Sequence, residues 1–304
     1  MQNIDYQDAG KELRCVGDFI RWATSVFRQK HLFFGHGTDN AWDEAVQLVL
    51  QLLHLPMESD PLVFHSRLTT AERKGLVKAI QERVELRKPL PYITHQAWCA
   101  QMQFYVDENV LIPRSPLSEW IEKHFEPWID ADTVQSILEV GTGSGALAII
   151  AALNFPDARV DAVDISDEAL AVAKINVDHY GLQQQINLIH SDCFQALGDK
   201  CYDVILSNPP YVGAEEMTML PKEYLHEPRI ALEARDNGLK IVLELIAKAN
   251  KHLNPEGILL VEVGNSQDAL IQRLPQVPFV WLEQERGGQG IFLLTKKQID
   301  EINW

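Results

Sequence analysis

Hydrophobic residues recur with helical spacing through the first part of the chain. One apolar stripe runs from Trp42 to Leu53 at intervals of three and four residues, and the segment Thr38–Asn40 supplies capping side chains ahead of it. A second stripe runs from Leu76 to Val84. Residues 1–88 are therefore predicted to form a small helical domain.

The hydrophobic pattern changes after Pro89-Leu90-Pro91, because proline has no N–H group with which to continue a helix. Alternating aromatic and apolar residues follow, which predicts a hairpin linker over residues 89–112. From 113 to 304, short apolar runs alternate with amphipathic helices, as in an α/β fold with a parallel, doubly wound sheet. The runs 277–283 and 291–295 are so close that they are predicted to form an antiparallel hairpin at one sheet edge.

Composition and charge narrow the class of protein. The chain has 304 residues, 46% of them hydrophobic, and a net charge of −16 at pH 7. Nucleic-acid binding depends on neutralising phosphates, so an acidic protein is not expected to act directly on DNA or RNA. A basic protein partner, by contrast, would be attracted to it.

The sequence also bears on location and on metal binding. Its longest apolar run, Ala146–Leu153, is too short to span a membrane, and the N-terminus lacks the features of a signal peptide. Four cysteines occur without a C-x-x-C pair, and ten histidines show no metal-like spacing. We expect a reduced, cytoplasmic protein with no membrane contact and no metal site.

Asn208-Pro209-Pro210-Tyr211 is the most informative chemical motif. It follows the apolar run Tyr202–Ser207, and its two prolines cannot pair in a sheet because they lack N–H groups. The tetrapeptide therefore leaves the strand and holds a carboxamide and carbonyl oxygens at the sheet edge. Such oxygens can accept hydrogen bonds from both hydrogens of an –NH2 group, which predicts chemistry on an amino or amide nitrogen.

A glycine-rich loop predicts a ligand site near this motif. The apolar run Ser136–Val140, which contains Glu139, leads into Gly141-Thr142-Gly143-Ser144-Gly145 and then into a helix. The G-x-G-x-G spacing differs from the G-x-G-x-x-G of dinucleotide sites, and Glu139 would repel a pyrophosphate.

Acidic residues follow the next two predicted strands. Asp164 ends the run Arg159–Asp164, nineteen residues past Gly145, which is the distance expected for one strand-helix-strand unit. A carboxylate there can accept from both hydroxyls of a ribose, or it can cap the helix that follows. Asp192, after the run Ile186–His190, is placed to accept from an adenine amine.

Together these motifs resemble the class I S-adenosylmethionine-dependent methyltransferases. The E-V-G-T-G-S-G loop, the acid ending the second strand and N-P-P-Y after the fourth are features of that class. The resemblance implies a seven-stranded, Rossmann-like sheet with an antiparallel edge hairpin over residues 113–304, preceded by the helical domain. It also implies S-adenosylmethionine as the cofactor, with contacts expected from Glu139, Gly141, Thr142, Gly143, Gly145, Asp164, Asp192, Cys193 and Asn208.

Within that class the chain is similar to the HemK-like protein N5-glutamine methyltransferases. The segments Phe104–Val106, Val110–Arg114 and His226–Arg229 match segments of that family. Release-factor enzymes typically read I-P-R-P-[DE]-T-E, whereas Ile112–Glu119 here has the form of the branch that methylates a large-subunit ribosomal protein. The resemblance thus implies N5-methylation of a glutamine in a basic ribosomal protein, which the helical domain is expected to dock.

The resemblance also assigns roles to individual residues. The Asn208 carboxamide oxygen and the Pro209 carbonyl would accept the two amide hydrogens and aim the nitrogen at the cofactor's methyl group. Tyr211 would line one side of the pocket, and Phe104 and Pro210 would contact the substrate. Arg114 is expected to pair with Glu119 or with an acid in the 227–228 loop, as a support for the cleft.

Three alternatives stay open at this point. The substrate of the same chemistry could be a peptide chain release factor. N-P-P-Y also suits the amino group of an adenine or guanine flipped out of a nucleic acid, which the net charge disfavours. The third alternative is an assembly factor that keeps the fold without catalysis, against which the intact glycine loop, Asp164 and Asn208 all argue.

Overall fold

A computed structural model describes residues 4–302 of the chain and divides it into two compact units. The helical unit comprises the chain up to Gln96 together with the short segment Pro221–His226. The sheet unit comprises Ala97–Leu220 and Glu227 to the C-terminus. The sequence predicts the first boundary at residue 88 and a linker over residues 89–112. In the structure, residues up to 96 belong to the helical unit and the remainder of that range belongs to the sheet unit.

The helical unit forms around one apolar core. Helices α2 and α3 bury Phe19, Phe27 and Leu48 in the same cluster as Ile80 of α4, while Trp42 at the start of α3 is half exposed. Side-chain caps on Asn40 and Thr69 begin α3 and α4. Its helices are α1 Tyr6–Glu12, α2 Val16–Gln29, α3 Ala41–Leu52, α4 Thr70–Gln81 and α5 Leu90–Thr94, with a π-helical turn at Glu82–Leu86 and 3₁₀ turns at Pro61–His65 and Lys222–His226.

Within residues 97–302, the sheet unit contains nine strands in two sheets. A separate two-stranded hairpin, β1–β2, precedes a seven-stranded sheet with the order β5-β4-β3-β6-β7-β9-β8. Neighbours from β5 to β7 are parallel, and β9 and β8 are antiparallel at the edge, which confirms the class I methyltransferase fold. The strands are β1 Ala97–Cys99, β2 Met102–Phe104, β3 Ser136–Val140, β4 Arg159–Asp164, β5 Ile186–His190, β6 Tyr202–Ser207, β7 Leu253–Glu262, β8 Val280–Leu282 and β9 Ile291–Thr295.

Helices cover both faces of the large sheet. One apolar cluster joins the sheet to α6 and α7, and a second joins its other face to α11, α12 and α13. The central strands are therefore apolar nearly throughout, as expected where both faces are buried. The helices of this unit are α6 Leu117–Glu122, α7 Ala146–Asn154, α8 Asp167–Tyr180, α9 Ala214–Met217, α10 Arg229–Leu232, α11 Lys240–Ala249, α12 Gln267–Arg273 and α13 Lys296–Asp300.

This topology decides where a ligand can bind. Because β3 to β7 are parallel, their carboxyl ends lie at one edge of the sheet, and ligands of open α/β sheets bind outside that edge. The order also reverses next to β3, since the chain passes from β3 to β4 and β5 on one side and then to β6 on the other. The predicted motifs all follow strands at this edge.

Among residues 4–302, no helix is long and apolar enough to cross a membrane.

Candidate active site

A cavity of about 540 Å³ opens at the carboxyl edge of the sheet. The loops after β3, β4, β5 and β6 each contribute to its lining, so one cavity joins the glycine loop to the N-P-P-Y segment. Of the residues predicted from sequence, the lining contains Glu139, Gly141, Thr142, Gly143, Asp164, Asp192, Cys193, Asn208, Pro209 and Pro210.

The glycines of the loop after β3 have two different functions. Gly141 and Gly143 have φ angles of +77° and +53°, and a Cβ added at either would meet no atom within 4 Å. They leave open space beside a backbone that only glycine adopts readily. Gly145, with φ at +79°, does not line the cavity, and its added Cβ would lie 3.2 Å from the Cβ of Ala173 in α8. Gly145 therefore serves helix packing.

Glu139 is a buried carboxyl group beneath this loop. Its Oε2 accepts from the hydroxyl of Thr142 at 2.6 Å and from the N–H of Ala148 at 2.9 Å, which joins the loop to the first turn of α7. Burial raises the pKa of Glu139 to about 8, and the nearby charge of Asp164 adds to this, although the two hydrogen bonds act in the opposite direction.

Asp164 lies at the end of β4, beside the glycine loop. One of its oxygens accepts from the N–H of Gly143 at 2.8 Å, and the other accepts from the N–H of Ser166 at 3.0 Å. Ser166, not Asp164, is the cap residue of α8, with its hydroxyl accepting from Ala169 N–H. Asp164 thus keeps a carboxylate at the cavity lining and connects two of its loops.

The loop after β5 adds Asp192 and Cys193 to the lining. Asp192 accepts from the side-chain amide of Gln195 at 3.1 Å. Cys193 adopts a left-handed backbone conformation, with φ at +48°, and its side chain is buried. Burial raises the pKa of the Cys193 thiol to about 12, so this side chain is a neutral, apolar part of the site.

The N-P-P-Y segment leaves β6 at a fixed point. The hydroxyl of Ser207 donates to the carbonyl of Val140 at 2.8 Å, which joins the end of β6 to the end of β3. Asn208, Pro209 and Pro210 then line the cavity. Tyr211, which is predicted to line one side of the pocket, lies outside the lining in the structure, because its hydroxyl is turned to Glu262, to which it donates at 3.0 Å.

The expectation that Phe104 contacts the substrate needs correction. Its side chain is fully buried in the core cluster that contains α7, it packs on the ring of Tyr180, and it does not line the cavity. The role of Phe104 is implied by the family segment Phe104–Val106 to which it belongs, and in the structure its ring packs the hairpin β1–β2 against the core of the sheet unit.

The segment that contains Arg114 supports one wall of the site. Arg114 forms a bidentate ion pair with Glu227, at 2.5 and 2.9 Å, and Glu227 also accepts from the N–H of Ile112. This settles the two options for Arg114, because Glu119 instead accepts from the backbone of Glu285. The lining further includes Cys99, Ser115, Ser191 and Ile230. Ser115 lies within the segment Ile112–Glu119, and Ser191 and Ile230 directly follow predicted segments, but none of the four was assigned a role from the sequence.

Comparisons with known proteins agree with this architecture. The family model described as methyltransferase small domain matches residues 123–235. A ribosomal protein uL3 glutamine methyltransferase of Neisseria meningitidis serogroup B is 46% identical over 300 residues, which cover 98% of this chain and 99% of that protein. The protein of the same name from Francisella tularensis subsp. tularensis is 44% identical over 294 residues, covering 96% and 94%.

Among solved structures, a methyltransferase from Pyrococcus furiosus is similar at a TM-score of 0.45 and 16% identity, covering 75% of this chain and 99% of that one. The assignment rests on the relatives that are similar over nearly the full length. The chain belongs to the family of ribosomal protein uL3 glutamine methyltransferases.

Proposed function

We propose that the protein methylates the side-chain amide nitrogen of a glutamine in ribosomal protein uL3, with Asn208 and Pro209 orienting that amide. The observation that carries the proposal is the position of Asn208, Pro209 and Pro210 in the lining of the same cavity as the glycine loop and Asp164. The amide acceptors and the cofactor residues therefore face one space.

The residues around the glycine loop fit S-adenosylmethionine. Gly141 and Gly143 leave room for a ligand against the backbone, and Asp164 offers carboxylate oxygens suited to ribose hydroxyls. Asp192 is suited to an adenine amine, and Glu139 is a buried carboxyl group whose charged form a cationic ligand would favour. When bound, the cofactor supplies an electrophilic methyl group on a sulfonium.

The chemistry of the substrate explains the need for two fixed acceptors. An amide nitrogen is a poor nucleophile because its lone pair is delocalised into the carbonyl. The Asn208 carboxamide oxygen and the Pro209 carbonyl oxygen would accept hydrogen bonds from the two N–H groups of the amide. They would thus hold the nitrogen in line with the bond between the methyl group and the sulfonium sulfur, which breaks as the methyl group is transferred. Orientation of this kind lowers the activation free energy by up to roughly 7–11 kcal/mol in the best intramolecular models.

Proton transfer makes small demands on the protein. The nitrogen becomes acidic once it is alkylated, so its proton can leave to water or to an acceptor already hydrogen-bonded to it. This is consistent with acceptors that are a carboxamide and a peptide carbonyl, neither of which is a strong base.

The substrate assignment draws on the relatives and on charge. The relatives with high identity are named for uL3, and a chain with a net charge of −16 would attract a basic ribosomal protein. We place the reaction in the cytoplasm, and we propose that the helical unit docks the substrate protein.

A transfer assay with radiolabelled S-adenosylmethionine tests the substrate. Purified uL3, a release factor and ribosomal RNA are offered separately to the wild-type protein. We expect label in uL3 only. Label in the release factor alone would retain the chemistry and overturn the substrate, and label in RNA alone would overturn the glutamine reaction.

A further inference from the structure

Tyr211 is connected to a buried carboxylate that does not itself reach the cavity. The phenol hydroxyl of Tyr211 donates to Glu262 Oε1 at 3.0 Å. Glu262 is the last residue of β7, the neighbour of β6, and is 6% exposed. The cavity lining includes Pro210 but neither Tyr211 nor Glu262, so this pair lies immediately behind the amide acceptors.

Glu262 has a second hydroxyl partner on the opposite side. Ser115, which does line the cavity, donates to Glu262 Oε2 at 2.5 Å. Each carboxylate oxygen therefore accepts one O–H bond. An ionised carboxylate is an acceptor only, so in that form both hydroxyls point toward it, which fixes the rotation of the phenol group. Burial raises the pKa of Glu262, whereas the hydrogen bonds from Ser115 and Tyr211 and the charge of Arg114 favour the ionised form.

The rest of Tyr211 is held by contacts that leave no room for displacement. A Cβ added at Gly264 would lie 2.6 Å from the tyrosine ring, and one at Gly238 would lie 2.1 Å from the Tyr211 carbonyl oxygen. The hydroxyl of Ser266 donates to that carbonyl at 2.8 Å. Gly264 thus contacts the ring of Tyr211, Gly238 and Ser266 contact its backbone carbonyl, and Glu262 is the partner of the phenol.

We propose that Glu262 is a positioning residue for methyl transfer, which fixes Tyr211 and with it the backbone of Asn208–Pro210, and that Ser115 orients its carboxylate. This inference rests on the proposed function of Asn208 and Pro209. The reason is geometric: a displacement of about 1 Å at the reacting groups can lower a rate by about 10²-fold. Glu262 acts through Tyr211 and does not contact the substrate.

The test is a double-mutant cycle in which kcat, KM for the protein substrate, Kd for S-adenosylmethionine and Tm are all measured. The variants are Tyr211→Phe, Glu262→Gln and the double variant, each assayed where it is fully folded. We expect each single change to lower kcat about tenfold. The double variant should lose about tenfold as well, because both changes break the same link. Kd for the cofactor should stay within about twofold, since neither residue lines the cavity.

Ser115→Ala gives a second, smaller change to the same network. It keeps Glu262 and Tyr211 and removes one donor to the carboxylate, so kcat should fall by less than in Glu262→Gln. If Glu262→Gln does not fold, Ser115→Ala and Tyr211→Phe still test the link. The loss of kcat in the Ser115→Ala/Tyr211→Phe double variant should then be smaller than the product of the losses in the two single variants.

Tyr202→Phe is the matched control. The Tyr202 hydroxyl donates to Asp161 Oδ2 at 2.7 Å, also a tyrosine–carboxylate bond in the sheet unit, but at the opposite end of β6. It should change Tm and leave kcat unchanged. Three outcomes would overturn the inference. They are a loss of kcat in the double variant equal to the product of the single-variant losses, a normal kcat in Glu262→Gln, and an effect seen only as weaker cofactor binding. An inactive wild-type protein would overturn the proposed function and the inference together.

Discussion

At the scale of single residues, Glu139 shows how burial can shape a site before any ligand arrives. Oε2 of Glu139 accepts hydrogen bonds from the Thr142 hydroxyl and from the Ala148 N–H. The two bonds fix the glycine loop to the start of α7. The pKa of Glu139 is nevertheless raised to about 8 by burial, with Asp164 contributing. A cationic ligand beside Glu139 would favour the charged form, so ionisation and ligand binding are expected to be coupled.

This raised pKa predicts how stability changes with pH. The pKa of Glu139 is higher in the folded protein than in the unfolded chain, so folding takes up a proton between the two values. The contribution of Glu139 is present in full below the ordinary pKa of 4.5 and is lost as pH rises through about 8. In that window the unfolding free energy changes by at most about 1.4 kcal/mol per pH unit.

Glu139→Gln should therefore gain stability relative to the wild type as pH rises from 6 to 9, because Gln keeps an oxygen for both donors and cannot ionise. The measurement is Tm against pH for the two proteins without cofactor. The exposed Glu256→Gln variant controls for removal of one charge. Parallel Tm profiles for wild type and Glu139→Gln would contradict the prediction.

At the scale of secondary-structure elements, the loop that follows N-P-P-Y is fixed by close backbone contacts. Val212 pairs with the segment around Glu233, and Gly238 brings the start of α11 against Tyr211. Gly238 has φ at +87°, and a side chain there would overlap the Tyr211 carbonyl. A side chain at position 238 should therefore displace the Tyr211 carbonyl and, through the intervening backbone, shift Asn208.

Gly238→Ala should reduce activity more than its effect on stability explains. Gly181→Ala is the matched control, because Gly181 also has a positive φ, +70°, but an added Cβ there meets nothing within 4 Å. Gly181→Ala should lose about 1–2 kcal/mol of stability from the left-handed backbone, and Gly238→Ala should lose more, because its Cβ would also overlap the Tyr211 carbonyl oxygen. Only Gly238→Ala should also lower kcat, measured where each variant is folded. Equal kcat values in the two variants would contradict this role of Gly238.

The elements predicted best from sequence were those with a local signal. The edge hairpin follows from a short connection, and the order of strands and helices follows from the alternation of apolar runs. The cavity lining around Asp164 and Asn208 follows from one topological fact, that parallel strands end at the same edge.

The residues that the sequence did not reveal depend on distant partners. Ser115 and Glu262 are 147 positions apart and meet only because α6 lies beside the end of β7. Phe104 was misassigned for a related reason, since a family segment shows which residues recur together and not which way each side chain faces. In a hairpin, neighbouring side chains face opposite sides, so proximity to a motif does not place a ring in the pocket.

At the scale of the whole molecule, a short segment of the second half of the chain completes the helical unit. Glu223 of the segment Pro221–His226 accepts from the Phe33 N–H at 3.0 Å and pairs with Arg83 at 3.4 Å. Arg83 is 1% exposed and also pairs with Glu44 at 2.5 Å. Burial opposes ionisation of Glu223, but the Phe33 N–H and Arg83 lower its pKa on balance. No local pattern predicts this insertion, because its partners lie more than a hundred residues earlier.

Glu223→Ala should destabilise the helical unit by about 3–5 kcal/mol, because Arg83 would remain buried with one of its carboxylate partners missing. Urea unfolding gives the size of the loss, and hydrogen exchange should show faster exchange in residues 221–226. Glu215→Ala, at an exposed site of the sheet unit, provides the control. Unfolding and exchange equal to those of the wild type would rule out this anchoring role.

The proposed function of the molecule as a whole depends on Asn208, which lines the same cavity as the glycine loop and Asp164. The most direct test compares wild type and Asn208→Ala with uL3 and S-adenosylmethionine, locating the added methyl group by mass spectrometry and measuring cofactor Kd in parallel. We expect wild type to methylate one glutamine amide, and Asn208→Ala to lose at least about 10²-fold in rate with cofactor Kd largely retained. Near-normal transfer by Asn208→Ala, or a methyl group on any residue other than glutamine, would contradict the mechanism.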